Sequence, residues 1–119
     1  MTSFKKKIAK MVCFALALAM LLSVTAFAGS VYFDAGNGIS ATGSVGYNNA
    51  TTNASSPTYI KAEIRFHYMA KDGNDAIAVN NATNSGTSIT AYVSIPSDFS
   101  YHMDSAGYHW AGSGFGIST

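Results

Sequence analysis

The stretch YIKAEIRFHYMAK, residues 59–71, decides how the rest of the chain is read. Ile60, Ala62, Ile64, Phe66, Tyr68 and Ala70 fall on every second position, and Lys61, Glu63, Arg65, His67, Met69 and Lys71 fill the positions between. A helix would need apolar residues at spacings of three and four. A period of two instead puts the first set on one face of a strand and the second on the other. The segment runs into KDGND (71–75), where Asp72-Gly73 is a strong signal for a tight turn.

Outward from this strand the same period recurs. In TSITAYVSIP (87–96), Ile89, Ala91, Val93 and Ile95 point one way and Ser88, Thr90, Tyr92 and Ser94 the other. Pro96 ends the strand because it has no amide to donate to a ladder. Upstream, SVYFDAGNGISATGSVGY (30–47) reads as two strands around Gly36-Asn37-Gly38, with Ile39, Ala41, Val45 and Tyr47 on one side of the second. A short strand is expected around Ile77 and Val79. The polar stretches NNATTNASSP (48–57) and NNATNSGT (80–87) read as loops by composition. The chain is therefore expected to be all-β, a small antiparallel β-sandwich or partly open barrel of about six or seven strands. Many inward positions are Ala or Gly, so the packed faces should approach closely and the aromatics should supply much of the buried area.

The first 28 residues carry a different pattern. Lys5, Lys6, Lys7 and Lys10 precede an apolar run from Met11 to Leu22, and Ala26 and Ala28 offer small residues before a cleavage site. That is a helical secretory signal peptide, 1–28, ahead of a single all-β domain, 29–119. The apolar run is shorter than the ~20 residues that span a bilayer, so the mature protein is expected to be extracellular with no membrane span. The short lysine-rich signal has a bacterial character.

From residue 29 on, Lys61, Arg65 and Lys71 stand against Asp34, Glu63, Asp72, Asp75, Asp98 and Asp104. Three cations against six anions leave a formal −3, which excludes the phosphate-neutralising surface that nucleic acid requires. Cys13 is the only cysteine and lies in the signal, so the fold must hold without disulfides. With no mature cysteine and no Gly-x-Ser-x-Gly elbow, the expectation is a non-enzymatic protein that uses no cofactor.

Two sets of residues are candidates for a site. SYHMDSAGYHW (100–110) concentrates His102, Asp104, His109 and the only tryptophan. In a regular strand His102 and Asp104 share a face, and with His67 and His109 they could offer imidazole nitrogens and a carboxylate to zinc or copper. The alternative is ordinary sheet alternation. Separately, Tyr59, His67 and Tyr92 lie on the polar-side parity of the two best strands, where flat rings could stack on a sugar or dock a protein. KDGND could donate oxygens to calcium but is explained by a turn, and GNGISA (36–41) lacks the helix that a dinucleotide fingerprint needs. The tripeptides NAT (49), NAS (53) and NAT (81) match a glycosylation acceptor and are read as loop.

At YHMDSAGYHWAGSG (101–114) the sequence resembles the C-terminal part of short secreted β-proteins of Gram-positive bacteria, with the lactococcin-type bacteriocins the nearest named group. That resemblance implies export and a small β-sandwich, and transfers no site residue. The expected role is a secreted binding or cell-envelope interaction module, its partner an envelope component, glycan or protein. A bacteriocin-like antagonist of neighbouring bacteria and a His-based metal binder are the alternatives, and self-association through an exposed edge strand is open.

Overall fold

The computed structural model describes residues 29–119; the expected signal peptide lies outside the described residues. Six strands form one antiparallel sheet: β1 (Ser30–Gly36), β2 (Ile39–Val45), β3 (Asn49–Ala70), β4 (Asp75–Tyr92), β5 (Phe99–Ala111) and β6 (Gly114–Ser118). The order is β1-β2-β3-β5-β6, with β4 pairing β3 alone. The β1–β2 connection is the two-residue loop Asn37-Gly38, at φ +54° and +75°. Both values are positive, as a type I′ turn requires, and its twist matches that of the strands it joins.

β3 is long enough to belong to two layers. Its first part pairs β2 and the end of β4 (Asn49 with Tyr92), and its second part pairs β5 and the start of β4 (Met69 with Asp75). Between these parts β3 advances from Asn53 to Thr58 while β4 advances only from Ser88 to Gly86. Such an interruption bends a strand, and Pro57 sits within it, where no ladder amide is needed. The bend folds the sheet over on itself like a barrel that nearly closes. Layer one holds β1, β2, the start of β3 and the end of β4; layer two holds the start of β4, the rest of β3, β5 and β6.

The two inner faces meet in two cores. In one, Val45, Ala50, Ala91 and Val93 of layer one and its margin cover Ala62, Ile64, Phe66, Tyr68 and Ala70 of layer two. In the other, Ala35 and Ala41 pack on Ile60 and Ala111. At the far margin β1 lies on β6, where Gly114 and Gly116 leave room for Val31, Phe33 and the Asp34 carbonyl. The smallest dimension of the molecule is 16 Å, consistent with two sheets about 10 Å apart.

The inward alternation of 59–71 is as the period predicts. Three expectations are corrected. The polar stretches 48–57 and 80–87 belong mostly to β3 and β4 rather than to loops. Their alanines and Thr52 pack inward. Asn80 and Asn84 share that inner parity opposite Ile64 and Ile60 at the open margin, where Asn80 Nδ2 donates to the Tyr92 carbonyl at 2.6 Å, and most of their other polar side chains face outward. The two segments around Ile77 and 87–96 are one strand, which ends at Tyr92, ahead of Pro96. Finally, among the described aromatics only Phe66 and Tyr68 join the buried set, while Tyr32, Tyr59, Tyr92, Tyr101 and Phe115 are exposed.

Candidate functional site

β5 does not keep a period of two. Its ladder with β3 shifts between the pairs Tyr101–Met69 and Phe99–Ala70, and again between His102–Tyr68 and Asp104–His67, leaving Ser100 and Met103 as extra residues. Each bulge restores the opposite parity. His102 therefore turns inward while Asp104 turns outward, and the shared face expected for them does not exist. The His102 ring packs against Phe66 and Tyr47 at 4.9 and 4.6 Å. Ser105 Oγ donates to the Tyr47 carbonyl at 2.6 Å, so it accepts from His102 Nε2–H at 2.9 Å.

His109 lies elsewhere, fully buried between the layers. Thr52 Oγ1 donates to the Lys61 carbonyl at 2.8 Å and is thus an acceptor for His109 Nδ1–H at 2.9 Å. Nε2 is then the acceptor for the Ser118 hydroxyl at 2.7 Å. The ring lies flat on Gly43 of β2, where any Cβ would collide with its Cγ and Cδ2. Burial lowers the His109 pKa to about 4, so this is a neutral imidazole. A serine beside an imidazole is also the geometry of an activated nucleophile; here Ser118 and His109 are both buried.

On the outside of layer two, His67 lies between two carboxylates contributed by flanking strands. Nε2 is 3.1 Å from Asp75 Oδ2 and Nδ1 is 3.3 Å from Asp104 Oδ2. Hydrogen bonds to Asp75 and then Asp104 raise its pKa, favouring an imidazolium that ties β4, β3 and β5 together. Of the four residues expected to hold a metal, the structure brings together only His67 and Asp104. The carboxylates sit on opposite edges of the ring and do not converge on one point. Among the described residues no three His, Cys, Asp or Glu side chains form a group that could hold a metal ion.

The expected ligand set is divided too. Tyr59 and His67 share the outer face of layer two, separated by eight residues of β3, or about 26 Å. Tyr92, 62% exposed, is on the outside of layer one, because the bend carries the end of β4 across.

What alternation along β3 alone could not reveal is the row of neighbours that β5 and β6 add to the outer face of layer two. Lys61 pairs Trp110, which pairs Phe115; Glu63 pairs Tyr108, which pairs Ile117; Arg65 pairs Ala106. Trp110 lies 5.1 Å from Phe115 and 6.5 Å from Tyr108, ring centre to centre. Lys61 Nζ stands 4.7 Å over the Trp110 ring and the Arg65 guanidinium 4.1 Å over Tyr108. Glu63, nearly buried beneath them, accepts from Arg65 Nε at 2.7 Å, and this bond raises the Arg65 pKa. The result is a strip of aromatic rings and two cations on a rigid sheet, fixed by cross-strand register rather than by loops. Compared with family models, curated proteins and solved structures, the chain matches none.

Proposed function

We propose that this is a secreted, non-enzymatic binding module of the cell envelope, and that the strip formed by Tyr59, Lys61, Arg65, Tyr108, Trp110 and Phe115 is its contact surface for a glycan. The observation that carries this reading is a row of aromatic rings on the outer face of layer two, Tyr59 and Phe115 exposed and Tyr108 and Trp110 half-buried, with a cation over each of the latter two. Aromatic faces match the C–H faces of sugar rings. Lys61 and Arg65 add donors for hydroxyl or carboxylate oxygens. A sheet holds these groups in place before binding, so little ordering is needed when the ligand arrives.

Trp110 is the only tryptophan of the chain, so the test has a built-in reporter. Titrating soluble envelope polysaccharide into the chain from Gly29 onward is expected to shift its emission, and Phe115→Ala to weaken the titration about tenfold or more. An unchanged Trp110 emission with every envelope glycan fraction would overturn the reading.

A further inference from the structure

We propose that the free edge of β4 is a self-recognition surface, through which two copies of this chain pair antiparallel into one continuous sheet. This inference is independent of the glycan reading. β4 has 18 residues and is laddered on one side only, by β3. The other edge strands, β1 and β6, lie against each other, so among the described strands β4 alone offers a long row of outward amides and carbonyls.

Natural edges are blunted by lysine, proline, bulges or short length, and the start of β4 has none of these. From Asp75 to Gly86 its register with β3 is unbroken, and Asp75 is the strand's only charged residue. It also presents Ile77 and Val79, 58% and 50% exposed, on the outer face beside the unpaired backbone.

A second copy is the occupant that fits. Pairing about a two-fold axis at Ala78 sets Ile77 against Val79 of the partner subunit, and Val79 against the partner's Ile77. The two Asp75 carboxylates stay apart, each facing the partner's Asn81, so no like charges meet along the seam. The interface is isologous and closes at two copies. The four strands of layer two become a sheet of eight, with both aromatic strips on the same side. Such an edge buries less than the roughly 1,200–2,000 Å² of a standard stable interface, so the pair is concentration-dependent.

Sedimentation of the chain from Gly29 onward, whose strands close both cores by themselves, is the test. A monomer–dimer equilibrium is expected between about 10 and about 500 µM, a range typical of modest affinity. Val79→Lys and Ile77→Lys, both at exposed positions, should each leave a folded monomer by circular dichroism, whereas Tyr32→Lys on β1 should leave the dimer intact. Slowed amide exchange in β4 at high concentration should accompany pairing. A chain that stays monomeric throughout overturns the proposal, including one that takes up an added extended peptide instead. So does a dimer indifferent to both lysines, or an assembly that grows beyond two.

Discussion

His109 is one of the points where the two layers meet closely, and its chemistry bears on the stability of the fold in acid. In the unfolded chain it titrates near 6.5; in the folded protein burial lowers that to about 4. Between these values the unfolded state binds the extra proton, so stability rises with pH. It is full above about 6.5 and falls by about 3 kcal/mol as pH drops to 4. Denaturant titrations at pH 7 and pH 4 should show this loss, and His109→Gln should reduce it. His67 works with the opposite sign. Its folded pKa is raised by Asp75 and Asp104, so with those carboxylates ionised its contribution is complete below 6.5 and disappears as pH climbs through the raised value. His67→Ala should therefore flatten the alkaline side of the stability profile and leave the acid side alone. The same site explains Gly43: Gly43→Ala forces a methyl into the His109 ring, and a loss of about 1–3 kcal/mol or more is expected for overpacking of this kind. Neither the buried state of His109 nor the need for glycine at 43 was legible in the sequence. His109 alternates with Tyr108 and Trp110 as any surface residue could, and its partners Thr52 and Ser118 lie 57 and 9 residues away.

At the scale of the element, the strands divide into those whose pattern survives folding and those whose register shifts. β3 from Tyr59 onward keeps its alternation throughout, since every inward position meets a core, and its reading from sequence was sufficient. β5 changes parity at its bulges, and an extra residue leaves no mark in composition; this is why His102 and Asp104 were expected on one face. The bulges make a testable distinction between neighbouring deletions. Met103 is an unpaired, partly exposed residue, and removing it leaves His102 opposite Tyr68 and Asp104 opposite His67 in a regular ladder. Its deletion should cost only about 1 kcal/mol, the range of an average substitution. Ala106 lies in an unbroken stretch, so its deletion flips Gly107, His109 and Ala111 outward or forces a new bulge. Thermal melts of the two deletions should differ sharply, with no folded baseline for the second. The Asn, Ser and Thr of 48–57 and 80–87 misled for a related reason. Strand propensity read from large apolar residues cannot recognise strands whose inner face is built of Ala, Thr and Asn.

For the molecule as a whole, the all-β class was legible because the period of two recurs in separate segments, whereas the two-layer arrangement rests on one bend in β3 that no local pattern announces. The consequence of that arrangement is a thin core. Alanines 35, 41, 50, 62, 70, 91 and 111 are buried but each contributes little apolar area, and no cysteine lies within residues 29–119 to cross-link the chain. Much of the remaining burial is concentrated at Phe66, whose ring contacts those of Tyr47, Tyr68, Phe99 and His102 at 4.9–5.9 Å. Truncating such a side chain costs about 3–5 kcal/mol, against a total of about 5–15 kcal/mol for a domain. Phe66→Ala is therefore expected to bring the whole fold near its limit, and Phe66→Leu to lose distinctly less because it keeps most of the volume. Trp110, on the outer face, has no ring contact with Phe66 and serves as the distant reporter. If β3 couples the layers into one cooperative unit, its emission and the far-ultraviolet dichroism will lose their native values together in both variants. Two separated transitions would instead mean that the ends of β3 unfold independently, with the bend between Asn53 and Thr58 as the boundary.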